Sequence, residues 1–261
     1  MNRSSIIYFI KRAAILSIAV YYISIACSCN KTNNAVTTPK GILYLHLHTN
    51  IDTNEAGVGD VARDSSGRYF SFTLADFYMS GIVLHKSDGS TYSVSGVYVK
   101  KFIDSEEYYV DSIPAGNYTS ISFNVGIDAA TNSTNPSSYP SSNILSMQTP
   151  SMWFGSTSQG YIFMNLQGMA DTTTGDAGTI VNCPFSYQLG TSAMLETVNM
   201  PTHATYDVVA NQVTFIHLIC DYGKALRGIN FKTQSTATPF SNAAVAQQIA
   251  NNIPTMFRYE E

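Results

Sequence analysis

A strictly alternating segment near the beginning of the chain, residues 42–48, constrains the fold more than any other feature of the sequence. It reads Ile-Leu-Tyr-Leu-His-Leu-His, so three leucines share one face of an extended chain, and His46 and His48 share the other. Alternation of this kind predicts a β-strand with one face in a hydrophobic core. Such a strand needs a second layer of structure against its leucine face.

Strand-like apolar runs recur along the rest of the chain. They cover residues 69–74, 77–85, 91–99, 108–110, 120–125, 161–166, 179–189 and 207–219. Many short strands separated by turns predict an all-β fold, a β-sandwich in one domain. Two short helices are expected near the end, at residues 221–228 and at residues 242–252, the second capped by Ser241.

Residues 127–159 have little periodicity and are rich in Asn, Ser and Pro. A structureless segment of this length is unusual in a compact domain. It predicts either a functional loop or an element that the sequence pattern does not reveal.

The beginning of the chain has the character of an export signal. Basic residues, among them Arg3 and Lys11, precede an uncharged apolar run at residues 13–26. That run is shorter than the roughly 20 residues that span a bilayer. A small residue stands before each of two cysteines, Cys27 and Cys29, which is typical of a bacterial lipoprotein signal whose cysteine becomes the lipidated N-terminus.

Either cysteine could carry the lipid, and Cys29 is preferred because a polar segment follows it. The sequence therefore predicts a signal peptide at 1–28, a polar tether at 29–40 and a β-sandwich domain at 41–261. We expect a protein of the cell envelope that its N-terminal lipid anchors to a membrane, namely the outer membrane on either its periplasmic or its surface side.

The composition limits the choice of partners. The net charge is −4 and only 12% of the residues are charged, which argues against a nucleic-acid partner, because such a partner requires a basic stripe. Two cysteines remain in the body, Cys183 and Cys220. They could form a disulfide in an oxidising compartment or remain two buried thiols, and their spacing fits no zinc motif.

No short catalytic motif is present, so we expect a binding protein and not an enzyme. The strongest candidate site is the pair His46 and His48, whose side chains on one strand face are about 7 Å apart. Two such imidazoles could share a metal with a third ligand, and imidazole suits copper and zinc. The alternative is a solvent-facing strand that happens to carry two histidines.

Two further residues have simpler interpretations. His217 lies in another strand-like run and reads as a half-buried histidine with its hydrogen bonds satisfied. Trp153 is the only tryptophan and reads as a core or rim anchor. Because Met152 precedes it, Trp153 could also border a soft-metal site.

Several short motifs occur in an order that resembles the MbnP-like domain, a family named for a periplasmic copper-binding protein associated with methanobactin. The motifs are Phe-Asn-Val-Gly-Ile-Asp at 123–128, Met-Trp-Phe-Gly at 152–155, Gly-Tyr-Ile-Phe at 160–163, Leu-Gln-Gly at 166–168 and Phe-Tyr-Met-Ser-Gly at 77–81. The start at 41–48 and the end at 256–259 are similar to lipoprotein members from Bacteroidetes-type bacteria.

The resemblance implies an exported all-β protein that binds copper. In copper-binding members, histidines and an oxidised tryptophan make the site, and a MauG-type dihaem partner carries out the oxidation. Trp153 and either His46 or His48 would correspond to these ligands. Two features depart from the pattern: the tryptophan is shifted by one position within its motif, and Gln188 stands where relatives have a histidine.

We therefore expect a membrane-anchored lipoprotein whose β-sandwich binds copper through His46, His48 and Trp153. The alternative function is a surface module that binds a glycan or a protein without metal. Polar groups around aromatic residues in the long loop would suit such a ligand.

Overall fold

The computed structural model describes residues 38–173, 181–203 and 205–260. The predicted signal peptide and the lipidation candidates Cys27 and Cys29 lie outside these ranges, as does all but the end of the predicted tether. Within the described residues, no helix has both the length and the apolar character needed to cross a bilayer.

The chain forms strands along most of its described length. They are β1 (Lys40–Ile51), β2 (Asn54–Glu55), β3 (Val61–Arg63), β4 (Tyr69–Lys86), β5 (Thr91–Ser93), β6 (Val99–Lys101), β7 (Glu107–Pro114), β8 (Gly116–Val125), β9 (Ile162–Ala170), β10 (Cys183–Gly190), β11 (Glu196–Asn199), β12 (Tyr206–Val208), β13 (Val213–Asp221), β14 (Thr236–Ala237) and β15 (Phe257–Tyr259). The α-helices are α1 (Ala129–Asn132), α2 (Tyr222–Ala225) and α3 (Ala243–Asn252), and short 3-10 helices occupy Pro136–Ser138, Ser192–Met194 and Ile253–Thr255.

The strands form two sheets. In the smaller sheet the order is β15-β13-β1-β2, with β7 also paired to β1. In the larger sheet the order is β11-β8-β4-β9-β10-β14, with β12 paired to β8 and three short strands paired to β4. The predicted all-β sandwich is thus confirmed, and both predicted C-terminal helices are present.

The main core lies between the two sheets. From β1 it receives Leu43, Leu45 and Leu47, which are fully buried. From β4 it receives large side chains such as Phe77 and Met79. The leucine face of β1 therefore points inward as predicted, and the face with the two histidines points away from the core.

Strand β4 joins two segments that the sequence pattern predicts as separate strands. Pairing with β9 shifts between Phe72 and Leu74, and pairing with β8 shifts between Ser80 and Val83. Each irregularity changes which alternate residues face the core. The core-facing residues of β4 are accordingly Phe70, Phe72, then Ala75, Phe77, Met79, then Ile82, Leu84. Because the alternation of core-facing and outward residues is interrupted twice along β4, the sequence pattern predicts two separate strands.

Three local predictions need correction. The single strand predicted at 207–219 is two strands, β12 and β13, because the chain turns between them at Asn211, where φ is +60°. The single strand predicted at 91–99 is two short strands, β5 and β6, because the chain turns between them at Gly96, where φ is +70°. The cap of α3 is Asn242 and not Ser241.

The two cysteines of the body do not form a disulfide. Both Cys183 and Cys220 are free thiols.

The aperiodic segment 127–159 is packed and contains elements of its own. It includes α1 and a 3-10 helix, and it contributes Leu145 and Met152 to a second hydrophobic cluster. That cluster also contains Tyr78, which lies on β4 between core-facing Phe77 and Met79. Because neighbouring strand residues point to opposite faces, the segment covers the outer face of the larger sheet.

Candidate metal centre

Parallel pairing of β1 with β13 brings a third histidine beside the predicted pair. His46 is directly opposite His217 in the register. On β13 the neighbours Ile216 and Leu218 are buried, so the side chain of His217 points outward, as that of His46 does. The Nδ1 atoms of the two imidazoles are 3.0 Å apart.

A carboxylate comes from the last described residue of the chain. Strand β15 pairs antiparallel with β13, with Tyr259 opposite Leu218, and this places Glu260 next to His217. Glu260 Oε2 lies 3.1 Å from His217 Nδ1 and 3.0 Å from His48 Nε2. One carboxylate oxygen therefore lies between two imidazoles that belong to different strands.

Four side chains thus converge on one point of the outer face of the smaller sheet. Each of His46, His48, His217 and Glu260 offers one donor atom, and the four atoms lie within 4.8 Å of one another. Two nitrogens bound at about 2.0 Å to one tetrahedral ion are roughly 3.3 Å apart. The observed spacing of the donors is therefore close to that of ligands around a single ion.

A second carboxylate lies on the far side of two of the imidazoles. Glu106 Oε2 is 3.2 Å from His46 Nε2, and Glu106 Oε1 is 3.2 Å from His48 Nδ1. Glu106 immediately precedes β7, whose pairing with β1 sets Glu107 opposite His46. The two histidines are mostly buried, with 17% and 20% of their side chains exposed.

The donor set fits a divalent transition-metal ion. His48 Nε2 is buried and makes no hydrogen bond with any described residue, even though Glu260 Oε2 is 3.0 Å away. A buried ring nitrogen without a hydrogen-bond partner destabilises the folded state unless a ligand binds it. In the described part of the chain, Glu106 and Glu260 form ion pairs only with histidines. A dication would satisfy the nitrogen and neutralise the two carboxylates.

An open cavity of about 640 Å³ reaches the site from solvent. It is lined by His46 and Glu106 at the site, and the other acidic residues in its wall are Glu55, Asp60, Asp104 and Glu107. A concave surface with one sign of charge raises the local concentration of oppositely charged ions. The acidic wall therefore attracts cations to the side of the cluster where His46 lies, the one residue of the four that lines this cavity.

A family model described as MbnP matches residues 40–244 of the chain. The chain belongs to the MbnP family. The solved structure of MbnP from Methylosinus trichosporium is similar, with a TM-score of 0.50 and 11% sequence identity over 72% of this chain and 77% of that chain. At that identity, the likeness shows the fold. No curated protein matches the chain.

The family match ends before the last ligand of the cluster. The match covers His46, His48, Glu106 and His217, whereas Glu260 lies beyond residue 244. The carboxylate of Glu260 thus comes from a C-terminal segment that lies outside the matched residues.

In this MbnP-family chain the structure does not bring Trp153 to the histidines. Trp153 forms an isolated bridge with Tyr161 and packs edge-on against its ring, with the centroids 5.0 Å apart. Both residues belong to the second hydrophobic cluster, over the outer face of the larger sheet. The histidine cluster lies on the outer face of the smaller sheet. The inter-sheet core separates the two.

Sequence reasoning selected His46 and His48 but missed three members of the site. The sequence pattern predicts a half-buried histidine at 217, and its alternation with buried Ile216 and Leu218 puts it on an outer strand face, but no pattern pairs that strand with β1. Glu260 and Glu106 gave no usable pattern, because each lies just outside a short strand.

Proposed function

We propose that this chain is a cell-envelope lipoprotein that binds a copper ion through His46, His48, His217 and Glu260, and that it binds the ion without catalysing a reaction. The observation that supports this most is the convergence of four donor atoms within 4.8 Å, from β1, from β13 and from the residue that follows β15. The family to which the chain belongs is linked to copper.

The chemistry of the donors favours Cu(II) over Cu(I). Three imidazoles and a carboxylate are borderline or hard ligands, whereas Cu(I) is selected by soft thiolates and thioethers. Zinc accepts the same donors, and Cu(II) binds a given site of this type more tightly than zinc in the usual affinity order. We therefore expect Cu(II) to displace zinc from the site.

The predicted anchor and partner belong to this proposal as well. Lipid on Cys29 would hold the domain at a membrane, and the tether would let the acidic cavity face the periplasm or the surface. A MauG-type dihaem partner, if it acts on this chain, would act at Trp153. Because Trp153 lies on a different sheet face, the ion would bind to the histidine cluster without oxidation of the tryptophan.

A metal titration of the full chain in detergent tests the proposal. The samples are the wild type, the double variant His46→Ala, His48→Ala, and the control His85→Ala, whose imidazole contacts Ser122 away from the site. Cu(II), Cu(I) and zinc are each titrated and followed by calorimetry. We expect one equivalent of Cu(II) in the wild type and the control, and none in the double variant. Equal, weak uptake by all three forms would refute the site and favour the metal-free surface module.

A further inference from the structure

We propose that an apolar strip on the outer face of the smaller sheet docks onto a lipid bilayer, beside the point where the predicted tether enters the domain. The apolar strip consists of Ile42, Tyr44, Tyr109, Val213 and Phe215. This proposal rests on the lipid anchor of the proposed function, but it does not depend on the metal.

The apolar strip crosses three neighbouring strands. Along β1, Ile42 and Tyr44 alternate with buried leucines and therefore point outward, as the histidines of that strand do. Parallel pairing places these two residues opposite Val213 and Phe215 of β13. Antiparallel pairing places Tyr109 of β7 opposite Tyr44. The five side chains thus share one sheet face with the histidine cluster.

Aromatic contacts make the apolar strip continuous, and its outer side chains are exposed. The ring centroid of Tyr44 lies 5.6 Å from that of Tyr109 and 5.4 Å from that of Phe215. Tyr109 is 54% exposed, and Val213 and the nearby Val209 are exposed as well. Apolar side chains that are exposed together on one surface mark an interaction site.

The predicted tether enters the domain at the end of the sheet where the apolar strip lies. The N–H of Asn211 donates to the carbonyl of Lys40 at 2.8 Å, and Lys40 is two residues before Ile42. Residues 30–39 can span at most about 35 Å when fully extended. A lipid on Cys29 would therefore keep the apolar strip within that distance of the bilayer.

A bilayer is the occupant that these observations favour. Tyrosine is enriched at membrane–water interfaces, because its ring is apolar while its hydroxyl group can stay in contact with water. A short tether also raises the effective concentration of the apolar strip at the bilayer. A weak apolar contact is then enough to populate the docked state.

Charged groups limit how closely this sheet face approaches the lipid. The next outward positions along β1 and β13 are His46 and His217, and Glu106 and Glu260 lie beside them. Transfer of an ionised carboxylate into an apolar medium is strongly unfavourable. The acidic cavity lies further along, where β2 pairs with the last residues of β1. Docking of the apolar strip therefore leaves the histidine cluster in water, next to the membrane surface.

A fluorescent label on the lipid-anchored full chain tests the docking. Val213→Cys places the label on the apolar strip, and the matched control Val58→Cys places it at the acidic cavity, where the N–H of Val58 donates to Asp104. The two valines are 50% and 49% exposed. Both changes are made in a Cys183→Ser background, because Cys220 is buried, and the background alone measures the labelling of other thiols.

The processed protein is reconstituted into phosphatidylcholine vesicles, with and without brominated acyl chains that quench the label on contact. We expect brominated lipid to lower the fluorescence at position 213 by about 2-fold or more and to leave the label at position 58 unchanged. Adding Tyr109→Glu should remove most of the quenching at position 213. Phe240→Glu, the same change at an exposed aromatic residue away from the apolar strip, should leave the quenching in place.

Vesicle flotation separates this inference from the proposed function. If the protein does not float with the vesicles, the anchor of the proposed function fails and the docking fails with it. If the protein floats but brominated lipid quenches neither label, or both equally, the anchor stands and the docking of the apolar strip is refuted. A blue shift at position 213 without quenching by brominated lipid would show that a second copy of the chain covers the apolar strip, and would also overturn the inference.

Discussion

His46 and His217 are separated by 171 positions in the sequence, yet their Nδ1 atoms are 3.0 Å apart. Parallel pairing of β1 and β13 sets this distance, because the register places the two residues directly opposite each other. A slip of one residue would turn the whole outer face of β13 inward. The burial of the leucine face of β1 fixes the register of β1 against β13, and that register brings the histidines of the site together.

The first prediction concerns His217, which sequence patterns alone did not select. His217→Ala should lower Cu(II) affinity by at least 10-fold, because it removes one of four donors while its side chain, 44% exposed, contributes little to the core. Calorimetric titration measures the loss. His85→Ala should bind as the wild type does. An unchanged affinity in His217→Ala would show that the cluster does not act as one site.

The second prediction concerns Trp153. Trp153→Phe should leave Cu(II) affinity within about 2-fold of the wild type, because the tryptophan packs on Tyr161 in a different cluster from the histidines. Its free energy of unfolding should fall by roughly 1–2 kcal/mol, because a large side chain at the rim of that cluster is trimmed. Loss of metal binding in a folded Trp153→Phe protein would show that the tryptophan belongs to the metal site.

The third prediction concerns the anchor. The double variant Cys27→Ser, Cys29→Ser should move the protein from the membrane fraction to the soluble fraction of the cell envelope, since a single lipidated cysteine is the expected attachment. Immunoblots of fractionated cells expressing each single variant identify the modified residue, and we expect Cys29→Ser alone to release the protein. Membrane retention of the double variant would contradict lipidation.

The fold was predictable to the extent that strands have one buried face. Alternation at 42–48 identified β1 and its outward histidines because one face of that strand packs on the core. The pattern failed in β4, where two irregularities change the inward set of residues. Residues 127–159 gave no period because they pack as irregular chain over a sheet face.

The site was only half predictable for a related reason. His46 and His48 share a strand, so local spacing reveals them, whereas His217 joins them only through the pairing of β1 with β13. No local pattern predicts which strands pair when they are far apart in sequence. Glu106 and Glu260 are placed by a loop wrapped around Lys101 and by a three-residue strand, and neither has a sequence signature.

The fourth prediction concerns the two body cysteines. Burial raises the pKa of Cys220 to about 12, so at pH 8 its thiolate is scarce as well as inaccessible. Cys183 is only partly buried at the start of β10. In a Cys27→Ser, Cys29→Ser background, Ellman's reagent at pH 8 should therefore titrate one thiol in the folded protein and two in urea. Addition of Cys183→Ser should abolish the native signal, and a rapid reaction of Cys220 in the folded state would contradict its burial.

The last prediction concerns a buried ion pair between β4 and β6 of the larger sheet. Lys100 Nζ lies 3.2 Å from Asp76 Oδ2, and only 1% and 3% of the two side chains are exposed. Burial raises the pKa of Asp76 while Lys100 opposes the shift, so the folded state holds the carboxylate at a cost in desolvation. Removal of one partner leaves the other charge buried alone, which typically costs about 3–5 kcal/mol.

We therefore expect Asp76→Asn to lower the free energy of unfolding by about 3 kcal/mol or more, as measured by urea denaturation. The double variant Asp76→Leu, Lys100→Met should lose less than Asp76→Asn, because no unpaired charge remains. Glu107→Gln, an exposed carboxylate changed in the same way, should stay within about 0.5 kcal/mol of the wild type. If the double variant is less stable than the single one, the ion pair itself stabilises the fold, and its role is more than the mutual neutralisation of two buried charges.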